Sequence, residues 1–176
     1  MKKALSLLLA LAMIVACLTG ISFAEEAPAN AIASIETGGT TVYATTVAEL
    51  VGAIDKKGES TVTLLKDVTH TATVDLPVCT LDLNGHTWTA KNAEGAWVNA
   101  LYFRTTATDE EATNIKTVLK NGTVHGKIAV SCNVGALRIS NVTLCAYNGT
   151  AIQLTNFTSD IGLTKGLSNA DNVIEN

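Results

Sequence analysis

From residue 60 onward, apolar and polar residues alternate in short runs that asparagine and glycine separate. Valine, isoleucine, leucine and threonine dominate these runs, and a period of two residues is typical of β-strands with one buried face. Three runs share the order apolar-x-apolar-x-(Asn/Gly)-x-Thr-apolar, with a weaker copy before them and shorter apolar runs between them. The three copies span residues 81–88, 117–124 and 137–144, the weaker copy spans 62–68, and the shorter runs span 100–103, 127–130 and 151–154.

A repeat of this kind predicts a solenoid, in which each coil turns its alternate residues inward onto those of the coil below. The asparagine near the middle of each copy suits a left-handed bend, and its amide can bond the asparagine of the next coil. Trp88, Val124 and Leu144 share one apolar column, so we expect Trp88 in the core. The alternative is an antiparallel sandwich with hairpin turns, which does not explain why asparagine recurs in one column. The pattern therefore favours an all-β solenoid.

One helix is predicted ahead of the repeats. Thr46 and Glu49 fit a capping box, in which the two side chains satisfy free backbone N–H groups of the first turn. Gly58 can adopt the left-handed conformation that terminates helices, so the helix should run from about residue 47 to 56. Because so short a helix is unstable alone, we expect residues 42–57 to form a strand-plus-helix cap. The stripe that would cover the first coil consists of Val47, Leu50, Val51 and Ile54.

The predicted coils occupy residues 58–176, and their pattern fades after Phe157. An uncapped solenoid end exposes strand edges and apolar core residues. We therefore expect the chain to be a piece of a longer protein, so that the β-helix is incomplete at its C-terminus. The alternatives are distorted last coils, or a partner chain that covers the end through end-to-end self-association.

The first 24 residues have the organisation of a secretory signal peptide. The basic start Met-Lys-Lys precedes an apolar stretch and the small-x-small tripeptide Ser-Phe-Ala at residues 22–24. Removal of residues 1–24 predicts an extracellular or cell-surface protein without a transmembrane anchor. An alternative is lipid anchoring through Cys17, because Ile-Val-Ala-Cys over residues 14–17 resembles a bacterial lipobox. Residues 25–41 are small and polar, so we expect a flexible leader there.

Several runs resemble coils of known proteins. Leu-Asp-Leu-Asn-Gly-His over residues 81–86, Lys-Asn-Gly-Thr-Val over 120–124 and Ile-Ser-Asn-Val-Thr-Leu over 139–144 look like coils of the pectate-lyase-like superfamily. The predicted helix resembles the N-terminal cap of that fold, and the resemblance covers roughly residues 42–156. Similar leaders and strands occur in secreted and cell-surface β-helix proteins of gut Firmicutes. The resemblance implies a right-handed parallel β-helix, but lyases, hydrolases, adhesins and inert stalks share that architecture.

Composition and charge narrow the range of functions. The 176-residue chain is 47% hydrophobic and 16% charged, which excludes a disordered tail. With 12 lysines and arginines against 16 acids, its formal net charge is −4, so it lacks the basic excess of a nucleic-acid binder. Cys79, Cys132 and Cys145 are an odd number after cleavage, which favours buried free thiols, with a Cys132–Cys145 bridge as the alternative. Neither Cys-x-x-Cys nor a His-Cys cluster occurs, so the cysteines do not support a metal site, and we expect no cofactor.

The resemblance implies two kinds of catalysis, and the sequence lacks the residues for both. Lyases of the superfamily need a carboxylate cluster for calcium and an arginine base, but Arg104 and Arg138 lack acids in their repeat columns. A glycoside hydrolase needs two facing carboxylates, whereas Asp82 stands alone with Val118 and Arg138 as column partners. We therefore expect no catalysis; the alternative is a fragment of a polysaccharide lyase or glycoside hydrolase whose active site lies on missing coils. The histidines are expected in solvated turns or at strand ends: His70, His86 and His125.

Outward side chains on the predicted strands indicate a binding surface. Tyr102, Ala129 and Gln153 fall in one row, and an aromatic ring beside amide and guanidinium groups suits a sugar. The acid run of the insert over residues 104–114 is either a solubilising loop tip or a calcium site formed by Asp109, Glu110 and Glu111. We expect an exported, non-catalytic β-helix module for cell-surface attachment or glycan contact, with cell-wall or host polysaccharide as its partner. The carbohydrate-binding candidates are Tyr102, Arg104, Gln153 and Trp97.

Overall fold

The computed structural model describes residues 26–55, 57–104, 116–132, 136–147, 149–154 and 173–175. Within these ranges the protein consists mostly of β-strands with one helix, which confirms the all-β class. The described residues include no helix that is long and apolar enough to cross a membrane. The predicted signal peptide, Cys17 and the acid run Asp109, Glu110 and Glu111 lie outside the described ranges. The elements are β1 (Ala33–Thr37), β2 (Thr40–Ala44), α1 (Val47–Ala53), β3 (Thr61–Leu64), β4 (Val68–His70), β5 (Val74–Pro77), β6 (Thr80–Asp82), β7 (Thr87–Ala90), β8 (Leu101–Arg104), β9 (Lys116–Gly126), β10 (Val130–Cys132), β11 (Ala136–Ala146), β12 (Ile152–Leu154) and β13 (Val173–Glu175).

Two sheets share these strands, and from β5 onward the chain passes back and forth between them. The larger sheet has the order β13-β11-β9-β6-β3-β1-β2, and β7 joins it by pairing with both β4 and β9. The smaller sheet has the order β12-β10-β8-β5. Among the described strands, antiparallel pairing is confined to β1 with β2 and β3, and the other pairs are parallel. Parallel neighbours need a long crossover between them, so the hairpin-linked antiparallel sandwich does not apply here.

Inward side chains stack from strand to strand and form the core. Trp88 pairs with Val124, and Val124 pairs with Leu144, so the predicted apolar column is confirmed. The Trp88 side chain is fully buried, as expected. A second column places Leu81 on Leu119, both also fully buried. Burial of each such side chain stabilises the fold by about 1.5–3 kcal/mol, and inward residues of both sheets belong to one core cluster.

The strand register around Asp82 differs from the sequence alignment. The turn that follows Asp82 is longer than the matching bend of the next copy, because β6 and β7 are separate strands whereas β9 continues through its bend. Asp82 therefore pairs with Lys120, which pairs in turn with Ser140. The predicted column partners, Val118 and Arg138, were wrong by two positions. An aligned repeat copy fixes a register only where its turns have equal length.

The predicted outward row on the smaller sheet is also shifted. Strand β9 continues to Gly126, and the next strand of the smaller sheet is Val130–Cys132 instead of residues 127–130. Strand β9 can extend to residue 126 because glycine there has no side chain. A Cβ at Gly126 would stand only 2.8 Å from the Cβ of Ala100. Tyr102 consequently pairs with Ser131. Ala129, expected in the outward row, is fully buried.

The N-terminal segment is part of the sheet, so the expected flexible leader over residues 25–41 is wrong for residues 33–41. Strands β1 and β2 form a hairpin whose two turn residues, Gly38 and Gly39, have φ angles of 57° and 78°. Two successive positive φ values define the turn type that best joins antiparallel strands, and glycine adopts them without strain. Ala33 and Ile35 are buried at 0% and 1% exposure. The sequence analysis missed this strand because small and polar residues, including Gly38 and Gly39, follow its inward Ile35.

Helix α1 forms as predicted but ends earlier. The Thr46 side chain accepts a hydrogen bond from Glu49 N at 3.2 Å, and the Glu49 carboxylate accepts one from Thr45 N at 2.7 Å. The backbone hydrogen bond from Thr45 is the main reason that the pKa of Glu49 lies below its ordinary value. The helix ends at Ala53 and not at residue 56, because Ile54 adopts an extended conformation that leaves its side chain only 5% exposed. The predicted apolar stripe does pack on the core.

A short strand near the end of the chain continues the larger sheet. Strand β13 pairs in parallel with β11, so that Ile174 lies beside Ile139. Ile139 is 2% exposed, whereas Ile174 is 65% exposed. Residues 173–175 thus lie beside β11, within the part of the sequence where the predicted repeat pattern fades.

Candidate functional site

Three asparagines lie at the turn between β6 and β7 and at the matching bends within β9 and β11. Asn84, Asn121 and Asn141 have φ angles of 51°, 60° and 54°, which confirms the predicted left-handed bend. Asn141 Nδ2 donates to Asn121 Oδ1 at 3.2 Å, and Asn121 Nδ2 donates to Asp82 Oδ1 at 3.0 Å. The predicted asparagine-to-asparagine bond is thus present at one step, whereas the next step ends on a carboxylate. Asn84 Nδ2 instead donates to the backbone oxygen of Leu64 at 3.1 Å. We call the row Asp82-Asn121-Asn141 the amide ladder.

Asp82 anchors the amide ladder. Its Oδ1 also accepts from Asn84 N at 2.9 Å, and its Oδ2 lies 3.2 Å from Lys120 Nζ. Partial burial alone would raise the pKa of Asp82, but the hydrogen bonds from Asn121 and Asn84 and the Lys120 ammonium together hold that pKa below its ordinary value. The carboxylate is therefore ionised at neutral pH and accepts hydrogen bonds. A glycosidase needs a proton donor with a raised pKa, and Asp82 has the opposite property.

A shallow groove opens to solvent beside the amide ladder. Gly122 keeps this surface close to the turn below it, since a Cβ there would stand 2.5 Å from both the backbone oxygen of His86 and the Cβ of Leu83. All of the lining side chains are uncharged, and all that carry polar atoms are amides or hydroxyls. We call this surface the neutral groove. It has a volume of about 500 Å³ and is lined by Asn84, Gly85, Asn121, Gly122, Thr123, Asn141 and Thr143.

The neutral groove retains unused hydrogen-bonding capacity. A side-chain amide has two N–H donors and an oxygen with two lone pairs. Within the described part of the chain, each of the three asparagines donates one side-chain hydrogen bond, so one N–H of each is available. The described contacts also leave Oδ1 of Asn84 and Asn141, and the hydroxyls of Thr123 and Thr143, for a ligand. The groove therefore offers a ligand both hydrogen-bond donors and hydrogen-bond acceptors, and its lining side chains are uncharged.

An aromatic cluster lies farther along the same outward face. The rings of Trp97 and Tyr147 are stacked, with centroids 3.9 Å apart and planes 7° apart. His125 lies 5.9 Å from Trp97 and 5.8 Å from Tyr147, and its Nδ1 is 3.1 Å from the Tyr147 hydroxyl. Lys91 Nζ stands 4.2 Å from the centre of the Trp97 ring, a cation–π distance. We call Lys91, Trp97, His125 and Tyr147 the aromatic cluster.

The aromatic cluster changes two sequence-based interpretations. Trp97 was predicted to bind sugar, but its ring is already in contact with the Tyr147 ring and the Lys91 ammonium. His125 lies next to the last residue of β9, at a strand end as expected, but it contacts two aromatic rings instead of solvent alone. Sequence reasoning missed Tyr147 altogether, because it follows the last copy of the repeat. The available signal was that Tyr147 comes two positions after Cys145, which is the equivalent of His125 one repeat later.

The smaller sheet brings three of the four predicted sugar-binding residues together. Tyr102 and Gln153 each pair with Ser131, which places them in one row, and Asp75 pairs with Tyr102 on its other side. The Arg104 guanidinium lies 5.1 Å from the Tyr102 ring centre, and its Nη1 is 2.9 Å from Asp75 Oδ2. In its own column Arg104 pairs with Pro77, as expected without an acid, and the acid that it contacts, Asp75, lies in the column of Tyr102. Arg104 and Tyr102 are engaged with each other, while Gln153 remains exposed.

The described histidines, cysteines and acids do not form a metal site or a disulfide. Among the described residues, no group of three or more His, Cys, Asp or Glu side chains is placed to hold a metal ion. Cys79, Cys132 and Cys145 are free thiols, as the odd count favoured. Cys79 and Cys132 are buried, and burial raises the pKa of Cys79 to about 12. His86 contacts Asp67 at 3.3 Å on the surface.

No protein-family model matches this chain, and no curated protein or solved structure matches it significantly. The resemblance to the pectate-lyase-like superfamily accordingly rests on the residue patterns quoted above.

Proposed function

We propose that this chain is an exported, right-handed parallel β-helix module of the pectate-lyase-like type that contacts glycan without catalysing a reaction. Support for the β-helix comes from the passage of the chain between two sheets, the parallel register and the inward columns that stack on one another. The right-handed sense follows the general preference of parallel crossovers. The module would attach to cell-wall or host polysaccharide at the cell surface.

The neutral groove carries the functional proposal. Its lining consists of amides, hydroxyls and glycine backbone, with free donors and acceptors on neighbouring strands. Sugar hydroxyls are themselves donors and acceptors, so they pair well with such a surface. Among the described residues that line the groove there is no pair of carboxylates, which glycoside hydrolysis requires, and the pKa of Asp82 beside it is lowered. Binding without bond cleavage therefore suits it best.

The shape of the groove predicts weak binding by one site. A shallow surface leaves much of a ligand in water, and several of the hydrogen bonds only replace bonds to water. We expect a Kd on the order of 0.1–1 mM for one short oligosaccharide. Attachment to a polymer would gain strength from repeated contacts along the same chain.

Glycan arrays and calorimetry test the proposal. The purified protein should bind a subset of polysaccharides, and replacing Thr123 and Thr143 with valine should weaken that binding by about tenfold, since valine keeps the shape but loses the hydroxyls. Thr69→Val on β4 is the matched control, because Thr69 is exposed but does not line the groove. Silence on a broad array would refute glycan contact.

The same experiment separates the two candidate surfaces and the catalytic alternative. If Tyr102→Ala weakens binding and the threonine variants do not, the row on the smaller sheet with Arg104 and Gln153 is the binding surface. Incubation with uronate glycans, with and without calcium, should give no unsaturated product by absorbance. Reproducible product formation would show that the protein is a polysaccharide lyase.

A further inference from the structure

We infer that the ligand of the neutral groove is an uncharged glycan, and that Tyr147 extends the groove as a stacking platform for one of its sugar rings. This inference rests on the proposed function, and it names the class of glycan and a contact that the groove alone does not provide. It follows from the geometry of the aromatic cluster, from its position beside the groove and from the charges around both.

Among the described residues, the ring contacts of Tyr147 lie on one face and at one edge. Trp97 covers one face at 3.9 Å. The contact between His125 Nδ1 and the Tyr147 hydroxyl places the imidazole at the edge of the phenol ring. Tyr147 nevertheless remains 36% exposed. A ring fixed in position by its neighbours loses little entropy on binding, and its other face can pack against the C–H groups of a sugar.

The platform is continuous with the neutral groove. Thr123, which lines the groove, and His125 are two positions apart on β9 and therefore point to the same side. Their Cα atoms are about 7 Å apart at the rise of an extended strand. Strand β11 provides Thr143 and then Tyr147, which follows the end of the strand. A single ligand of several sugars can therefore contact the threonines and the Tyr147 ring together.

The charges favour a neutral ligand. The groove lining includes no charged side chain, and the adjacent carboxylate of Asp82 is already paired with Lys120. Lys91 lies against Trp97, within the cluster. The whole chain has a formal net charge of −4, so a polyanion would be repelled at long range. An acidic sugar would lose water from its carboxylate without gaining an unpaired cation in the groove.

The test compares hexasaccharides of equal length and different charge. Cellohexaose and xylohexaose are uncharged, whereas hexagalacturonate carries a carboxylate on each sugar. Calorimetry at low salt should show binding of at least one uncharged hexasaccharide and binding of hexagalacturonate that is at least about tenfold weaker. Tyr147→Ala should weaken binding of the uncharged ligand by about five- to tenfold, whereas Tyr147→Phe should retain it within about twofold.

Controls make each outcome decisive. Tyr43→Ala on β2 removes a tyrosine from another strand and should leave binding unchanged, and circular dichroism should show that all variants are folded. Tighter binding of hexagalacturonate through Thr123 and Thr143 would overturn the neutral-ligand inference but leave the proposed function standing. Unchanged binding by a folded Tyr147→Ala variant would overturn the platform. Failure of every hexasaccharide and of the wider array would overturn both proposals.

Discussion

Replacing Asn121 with alanine tests whether the amide ladder stabilises the fold. The change removes a hydrogen bond to the ionised Asp82 and one from Asn141. A hydrogen bond to a charged group contributes about 1.5–3 kcal/mol and a neutral one about 0.5–1.5 kcal/mol. Because Asn121 is only half-buried, the lower values apply, and their loss amounts to about 2–3 kcal/mol. Alanine at a φ of 60° adds about 1–2 kcal/mol of backbone strain.

The expected loss for Asn121→Ala is therefore about 3–5 kcal/mol, a large part of the 5–15 kcal/mol by which proteins of this size are usually stable. Asn121→Gly is the matched control, since it removes the same hydrogen bonds but adopts the positive φ freely. Glycine has its own entropic cost, so it should be about 1 kcal/mol more stable than alanine. Asn121→Asp places a second carboxylate beside Asp82 and should be more destabilising at pH 7 than at pH 4, where one of the two groups can hold a proton.

Urea denaturation followed by tryptophan fluorescence and far-ultraviolet circular dichroism measures these free energies of unfolding. The two probes should give one coincident transition if unfolding is cooperative. The reasoning would be refuted if Asn121→Ala changed the free energy of unfolding by less than about 1 kcal/mol, because the ladder would then contribute nothing beyond ordinary surface contacts. Equal stability of the alanine and glycine variants would refute the part of the argument that concerns the left-handed bend.

Three further predictions follow from other contacts. The pKa of Asp82 is lowered in the folded protein, so its contribution to stability is present above the unfolded pKa near 3.9 and is lost as the pH falls through the folded value. The free energy of unfolding, measured as a function of pH, should therefore fall in acid, and the fall should be smaller for Asp82→Asn. Thr46→Ala should cost about 1 kcal/mol in urea denaturation because it removes the helix N-cap, with Thr46→Ser close to wild type; equal stabilities would exclude the cap. In the native protein at pH 8, a thiol reagent should label half-exposed Cys145 but spare buried Cys79, whose pKa is about 12, until the chain unfolds; early labelling of Cys79, seen by mass spectrometry, would contradict its burial.

Much of the fold follows from local chemistry that a single sequence displays. Alternation and a recurrent asparagine predict parallel strands stacked in columns, and the Trp88 column and the left-handed bend at Asn141 are both found. Register was less predictable, because it depends on the lengths of turns. The longer turn after Asp82 shifted its pairing partners. Strand β1 was missed because one of its buried side chains, Ala33, is small and gives a weak apolar signal.

The candidate site was less predictable than the fold. Tyr102 and Gln153 were placed in one row because both lie on regular strands, where side chains point in alternate directions. Trp97 and Tyr147 lie outside regular strands, so no period indicates where their rings point. Their stacking depends on the path of two irregular segments that only the three-dimensional structure brings together. The neutral groove likewise depends on the shape of a bend in the strands. The sequence pattern indicates where that bend lies but not its three-dimensional shape.

Asp82 gives the amide ladder a direction. A primary amide can be rotated by half a turn so that its oxygen and nitrogen exchange places, and in an isolated row of asparagines both orientations would be nearly equivalent. An ionised carboxylate has no proton to give, so Asn121 must turn its nitrogen toward Asp82 and its oxygen toward Asn141. Asn141 must then follow the same orientation. One aspartate at one end thus decides which amide atoms face outward two strands away, and a ligand in the groove meets a surface of fixed polarity.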